Sequence, residues 1–478
     1  MKIVPSSVKS CGHFSVLWLA LSLVANGLAP THSVKLDSLI TDLAARKQFS
    51  GSILVAEHGR EIYERGFGLA DDRRHVPFTP DTPVYLASLT KQFTAMAVMM
   101  LAERGKLSCD DALSKYFPQF PESAERITVR HLLNHTSGIP DYVELGLERP
   151  GLTDQDVLNA LVKLPRLRFT PGERFEYSNS GYVLLALIVE KVSGQPYEKF
   201  LSEHIFRPLG MTHTFVYTPR ESKVARAHGY NRFGDDSDYD LSTYGEGGIY
   251  SSVSDMFKWV QALYTEILVK QTTLARAFTA GKLNDGSATN YGFGWGITSM
   301  NGEPIYSHAG RYGGFNTYIK LFPKERSAII FLTNHDFKDM GAIGNAIISV
   351  LHDQPYTLPK LSVGEAVYRT YKKRGLTAAI RQCQALKQTL NGDYDFSESE
   401  LNELGYELLA QNRTADAIEI LKLNVEAFPA SSNVYDGLGE AYMKNGNKDL
   451  AIKNYKRSLE LNPDNSNAVK MLKKLVRP

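Results

Sequence analysis

Two stretches patterned as β-strand bracket a long helical middle, and no other feature constrains the fold as tightly. Residues 51–70 read as a hairpin: Ser52-Ile53-Leu54-Val55-Ala56 and Glu61-Ile62-Tyr63-Glu64-Arg65 are β-rich runs joined by Glu57-His58-Gly59-Arg60. Strand patterning returns at 291–300, 305–308, 315–322 and 327–333. Between them, 88–103 is apolar on most faces and predicts a central helix. The stretch 101–263 mixes helices with Gly/Pro loops, and 340–351 reads as one more amphipathic helix. Strands at both ends with helices inserted predict an α+β domain (α/β in the broad sense) over residues 34–353. Its single antiparallel sheet would be flanked by helices and joined to a mostly helical subdomain. Residues 356–363, with Pro359 and little periodicity, read as a linker.

Beyond the linker the pattern changes to a repeat. Leu404, Gly405, Ala417, Ile418 and Pro429 recur as Leu438, Gly439, Ala451, Ile452 and Pro463, each 34 residues on. That period, with helix-turn-helix patterning and a Pro after the second helix, is the tetratricopeptide signature. Residues 363–390, with Tyr368, Gly375 and Ala379, look like a degenerate first copy. About three units are needed to bury a continuous core, so this copy caps the array or docks it on the main domain. We therefore read 364–478 as an all-α tetratricopeptide-like region.

The first 29 residues stand apart. Lys2 and Lys9 precede an apolar run from Phe14 to Ala25, broken by Asn26, Gly27 and Pro30. Charged start, short apolar core and small residues near a cleavage point describe a secretory signal. The run is too short to cross a ~30 Å hydrocarbon layer. The expected product is exported, periplasmic or extracellular, with no membrane span after cleavage. A formal net charge of +2 leaves no basic field for nucleic acid. The cysteines are Cys11, Cys109 and Cys383, and removal of the signal leaves two in different regions. A disulfide framework is thus not expected, and without Cys-x-x-Cys neither is a thiolate zinc site.

Three short elements carry chemistry. In Ser88-Leu89-Thr90-Lys91 the two functional residues are three apart, so on a helix the lysine amine can approach the serine hydroxyl. A serine hydroxyl is a weak nucleophile until a base takes its proton, and burial at the first turn favours the neutral, basic lysine. The alternative is an N-cap serine with a surface lysine, which the apolar residues 95–101 oppose. Tyr177-Ser178-Asn179 follows Pro171-Gly172 and precedes a helix. A tyrosine beside an ammonium can relay a proton to a leaving group, and the asparagine can pair with a substrate amide. Taken alone, the motif is better explained by an N-cap Asn and a core Tyr. His308-Ala309-Gly310 ends a predicted strand and is followed by Arg311, Gly313 and Gly314. Gly permits close approach of a substrate, and the next N–H can join that of Ser88 as an oxyanion hole; a plain strand-end turn is the alternative.

Together these elements resemble the serine β-lactamase and penicillin-binding-protein family, in the branch holding class C β-lactamases, D,D-peptidases and related esterases. The resemblance spans about 36–351. It rests on Ala87-Ser88-Leu89-Thr90-Lys91, Val129-Arg130-His131-Leu132-Leu133-Asn134-His135-Thr136-Ser137-Gly138-Ile139, and Pro171-Gly172 with Tyr177-Ser178-Asn179-Ser180-Gly181-Tyr182. Pro208-Leu209-Gly210-Met211, Gly247-Gly248-Ile249-Tyr250-Ser251-Ser252 and His308-Ala309-Gly310 complete it. It implies that Ser88 is acylated, Lys91 helps remove its proton, Tyr177 is the acid/base partner and Asn179 positions substrate. The N–H groups of Ser88 and Arg311 would form the oxyanion hole, with Gly310 and His308 lining the substrate edge. His308 stands where many members carry the Lys of Lys-Thr-Gly. Being cationic for only part of the neutral range, it is a weaker carboxylate anchor, which argues against efficient β-lactam hydrolysis.

His131 and His135, four apart, invite a metal reading, but no Glu sits between them in a His-Glu-x-x-His arrangement and the block matches a structural loop of the family. No metal or cofactor is expected. No Gly-x-Ser-x-Gly, P-loop or dinucleotide fingerprint occurs. The expected function is an exported serine hydrolase acting through an acyl-serine on a small-molecule or peptide ester or amide. The alternative is a catalytically weak scaffold that recruits a protein partner through its repeats.

Overall fold

The computed structural model describes residues 31–218, 224–337, 339–388 and 392–476. The expected signal segment lies outside them. The main sheet has six strands: β1 (Gly51–Glu57), β2 (Arg60–Phe67), β3 (Gly296–Met300), β4 (Glu303–Tyr312), β5 (Phe315–Phe322) and β6 (Ser327–Thr333). They lie in the order β2-β1-β6-β5-β4-β3, all antiparallel, so the N-terminal hairpin and the C-terminal strands meet at β1 and β6. That junction runs from Gly51 opposite Thr333 to Ala56 opposite Ala328.

Alternation along these strands sorts the core into two layers. Ile53, Val55, Ile329 and Phe331 face one way, against Leu36, Leu39, Ile40 and Leu43 of α1 (His32–Ala45) and Ile343, Ile347 and Val350 of the 340–351 helix. Leu54, Ala56, Ile330 and Leu332 face the other way, into the helical subdomain. Because both faces are covered, every residue of β6 is buried, and its sequence reads as a continuous apolar run rather than an alternating one. At the centre of the subdomain is α2 (Thr90–Glu103), buried continuously from Thr90 to Leu101. It packs beside α3 (Asn179–Ser193). The 340–351 helix is α4 (Met340–Leu351). The sequence reading starts the central helix at Ser88, whereas the structure has a 3-10 turn, Ala87–Leu89, before α2.

The tail is seven helices: α5 (Val363–Arg374), α6 (Leu376–Gln388), α7 (Glu398–Ala410), α8 (Thr414–Ala427), α9 (Ser432–Lys444), α10 (Lys448–Leu461) and α11 (Ser466–Val476). The 34-residue period has a packing cause. A Cβ on Gly405 of α7 would lie 2.5 Å from Leu421 of α8, and one on Gly439 of α9 would lie 3.1 Å from Tyr455 of α10. In each pair a glycine lets a large residue of the following helix lie against the first helix's backbone. Within 356–363, read as a linker, Leu361–Ser362 pairs in parallel with Tyr394–Asp395, tying the segment to the tail. Cys109 and Cys383 are buried free thiols in separate parts of the molecule.

Candidate active site

Ser88 sits on the 3-10 turn where the sheet meets the subdomain. Ala87 before it adopts φ +47°, a left-handed conformation unfavourable for a residue with a Cβ and sustained only where the surroundings impose it. Leu86 is pinned on both sides: its N–H donates to Ile249 O at 2.8 Å, and its carbonyl accepts from Thr317 Oγ1 of β5 at 2.8 Å. The kink leaves Ser88 partly exposed at the head of a buried helix.

Lys91, one turn on, has no solvent exposure. Its Nζ lies 2.9 Å from Ser88 Oγ, 2.8 Å from Asn179 Oδ1 and 3.0 Å from Glu246 O. Asn179 is oriented by Asp141, whose Oδ2 accepts from Asn179 N at 3.1 Å and Nδ2 at 2.9 Å, so Oδ1 is the atom turned to the lysine. Burial lowers the Lys91 pKa to about 7, opposed by the negative charges of Glu246 and Asp141. An ammonium gives a hydrogen to each of its three neighbours. A neutral amine has two, and the two carbonyl oxygens can only accept. Loss of one proton therefore leaves the lone pair directed at Ser88 Oγ.

Tyr177 lies over the same amine, its ring centroid 4.9 Å from Nζ. Burial raises its pKa and a hydrogen bond with Ser88 opposes that shift, so the hydroxyl holds its proton at neutral pH. Its ring lies against His135, 4.2 Å between centroids and tilted by 32°. His135 Nδ1 accepts from Ser178 N at 3.1 Å. Burial and the charge of Lys91 hold this histidine well below its ordinary pKa, so a neutral imidazole underlies the tyrosine. His131 acts elsewhere, its Nδ1 accepting from Thr128 N at 3.2 Å in a capping box at the start of the Val129–Leu133 helix. Both histidines thus hold backbone, and among the described residues no group of three or more His, Cys, Asp or Glu is gathered to hold a metal.

The third wall is the end of β4. β3 pairs with β4 only as far as Ser307, so on that side the edge of 308–312 has no strand partner among the described residues. Gly310 is pressed against the turn that carries Ser88. A Cβ there would lie 2.4 Å from Leu86 O, 2.4 Å from Thr317 Oγ1 and 3.0 Å from Ser88 N. His308 differs from the sequence expectation of a partly cationic anchor. Its Nδ1 lies 2.7 Å from Ala309 O, which can only accept, so Nδ1 carries the hydrogen and Nε2, 2.8 Å away, accepts from Tyr291 OH. Burial and Lys91 lower its pKa to about 3, so the ring is neutral throughout the neutral range. The Arg311 side chain turns away to Asp336 Oδ2 at 2.7 Å.

Ser88, Lys91, Tyr177, Asn179, His308 and Gly310 thus converge, and the Arg311 side chain is directed to Asp336 instead. Asn179 spends its polar atoms on Lys91 and Asp141, so it holds the lysine as much as it faces the cleft. Sequence reasoning did not single out Asp141, Tyr291 or Glu246. Glu246, buried, directly precedes the Gly247-Gly248 block, and that adjacency was the one signal available.

The family model described as Beta-lactamase matches residues 36–352, and Tetratricopeptide repeat matches 437–465. Penicillin-binding protein 4* of Bacillus subtilis is 34% identical over 370 residues, covering 70% of this chain and 81% of that protein. The octameric penicillin-binding protein homologue from Pyrococcus abyssi superposes with a TM-score of 0.61 at 30% identity, over 71% of this chain and 81% of its own. D-amino acid amidase from Ochrobactrum anthropi SV3 superposes with a TM-score of 0.57 at 25% identity, over 67% of this chain and 99% of its own. With two thirds of its length matched by the model, this chain belongs to the beta-lactamase family of serine hydrolases and carries a C-terminal tetratricopeptide repeat.

Proposed function

We propose that the protein is an exported serine hydrolase cleaving an ester or amide through an acyl-serine intermediate. Neutral Lys91 takes the Ser88 proton as Oγ attacks the carbonyl carbon. The oxyanion is held between the N–H groups of Ser88 and Arg311. Tyr177, still protonated, passes its hydrogen to the departing oxygen or nitrogen and regains one through Lys91. A water then attacks the acyl carbon by the reverse proton route, releasing the acid and Ser88. The observation carrying this reading is the three-way bonding of the Lys91 amine, in which two fixed acceptors leave the serine as sole recipient of the lone pair.

Substrate candidates are D-Ala-D-Ala-type peptides and small esters; the amidase among its structural relatives supports amides as acyl donors. β-Lactams rank below small esters, because a neutral His308 offers no charge to a substrate carboxylate; the same lack weighs on the carboxylate end of a D-Ala-D-Ala-type peptide. A hydrolase domain at 34–353 followed by repeats at 364–478 would allow the tail to take a protein partner. The described residues include no helix long and apolar enough to span a membrane. A fluorophosphonate probe should label Ser88 in the parent chain and leave Ser88→Ala unlabelled. On p-nitrophenyl esters, D,D-dipeptides and nitrocefin, that variant should lose at least ~10³-fold in kcat on whichever substrate is turned over. Unchanged turnover in Ser88→Ala would end this reading.

A further inference from the structure

We propose that the helical tail is a fixed wall of the hydrolase, gripping the hairpin of residues 230–236 as its own intramolecular ligand. Arg232, Phe233 and Asp235 are then positioning residues for the catalytic strand. The inference rests on the reading of the Arg311 N–H as an oxyanion donor.

The hairpin is built to protrude. Tyr230 and Asp236 form an antiparallel bridge, Asn231 N donates to Asp235 O at 2.8 Å, and Asn231 Oδ1 accepts from the N–H groups of Phe233 and Asp235 at 3.0 Å each. Gly234 turns the chain at φ +80°. These bonds push Arg232 and Phe233 to the tip, and the tail encloses both. Phe233 is 8% exposed and belongs to the tail's core with Val363, Val367 and Tyr368, its ring 5.1 Å from that of Tyr368. Arg232, its side chain 7% exposed, meets Glu400 at 3.1 Å, Glu365 at 3.6 Å and Glu403, and donates to Ser362 Oγ at 2.9 Å. Asp235 accepts from Lys372 at 2.6 Å, Gln411 at 3.0 Å and the Tyr368 hydroxyl. An apolar anchor between a buried cation and a paired anion is the chemistry by which a groove recognises one sequence. Here the recognised sequence is in cis, where effective concentration reaches the millimolar range or above.

The other side of the hairpin bears on the active site. Tyr230 N donates to Asn334 O at 2.9 Å, and Asp336 N donates to Tyr230 O at 3.1 Å. Asp336 holds the Arg311 guanidinium. Ser237 O accepts from Gly314 N at 2.7 Å, in the turn between β4 and β5. The fit there is tight: a Cβ on Gly314 would lie 2.0 Å from Tyr230 N, and one on Gly313 2.6 Å from Ser237 O. Tyr230 and Ser237, at the base of the hairpin, thus hold Gly313 and Gly314, three residues or fewer from the Arg311 N–H, while the tail holds the hairpin's tip.

The test uses the full-length chain with Arg232→Ala, Arg232→Lys and the milder pair Tyr368→Phe and Lys372→Ala. Tyr368→Phe keeps the ring on Phe233 and removes one bond to Asp235. We expect Arg232→Ala to lower kcat on the best ester about tenfold with KM within twofold, since only transition-state alignment is lost. Arg232→Lys should recover part of that loss. The Tyr368→Phe, Lys372→Ala double variant should fold as the parent does and show a smaller loss of the same kind. Hydrogen exchange provides a readout independent of turnover: the Gly314 amide should exchange at least about tenfold faster in the double variant. Folded variants with parental kcat and parental exchange at Gly314 would overturn the proposal. Failure of the parent to label at Ser88 would instead overturn the hydrolase reading, with exchange still testing the clamp.

Discussion

Burial and local charge act on Lys91 in opposite directions, and the balance fixes the pH at which the site becomes basic. Desolvation lowers its pKa to about 7, while Glu246 and Asp141 raise it. The neutral amine therefore predominates above neutral pH, and kcat/KM should rise through an acid limb near pH 7 and then level. Replacing Asp141 with Asn removes one of the two anions that favour the ammonium. The Lys91 pKa then falls, so the limb should move to lower pH, with a further loss in kcat because Asn179 is held less firmly. A pH profile of ester hydrolysis for parent and Asp141→Asn measures both effects; a limb moving to higher pH would contradict the assignment of the base to Lys91. Ser88 and Lys91 were legible in sequence because one helical turn fixes their separation. Asp141 and Glu246 were not, since only the folded chain brings residues 50 and 155 positions from Lys91 to its amine, and no periodicity records that approach.

The β4 strand and the turn that carries Ser88 are separate elements that must touch, and Gly310 is where they do. A methyl at Gly310 meets Leu86 O and Thr317 Oγ1 at distances no real Cβ shows. Gly310→Ala should therefore cost about 1–3 kcal/mol of stability through overpacking. By displacing the strand from Ser88 it should also lower kcat/KM by about 10²-fold. Gly341→Ala, in the first turn of α4, is the matching control: its nearest neighbour, Oδ1 of the N-cap Asp339, is 3.6 Å away, so the helix gains and activity should stay parental. Thermal melts and ester assays on the two variants separate these outcomes. At this scale much of the fold was legible. β-rich runs at both ends located strands of the sheet, and the apolar wrap of 88–101 located the central helix. The 3-10 start and the longer β4 were less so, because they depend on contacts to Ile249 and Thr317 far away in sequence.

At the scale of the molecule, stability should be graded along the tail. The core around Phe233 joins the hydrolase to α5, α6, α7, α8 and α9, whereas Ala451, Tyr455 and Ala468 form a small separate cluster under α10 and α11. The 34-residue period announced stacked helices, yet it carried no sign that the hydrolase inserts a hairpin among them, because Arg232 and Phe233 lie outside any repeat. In a repeat array each unit leans chiefly on its neighbours, so a distal unit can open while the rest stays closed. Amides of 448–476 should exchange first, those of α5 and α7 later, and those of β1 and β6 last, at the global unfolding free energy. Truncation sharpens the contrast. A chain ending at residue 446 keeps every contact to Arg232, Phe233 and Asp235 and should retain parental turnover. A chain ending at 362 strips Phe233 and Asp235 of their tail partners and leaves Arg232 only Ser362; it exposes Phe233 and should melt several degrees lower, at roughly 2–4 °C per kcal/mol for a domain of a few hundred residues. Equal melting points for the two truncations would mean that the tail contributes nothing to the fold of the hydrolase.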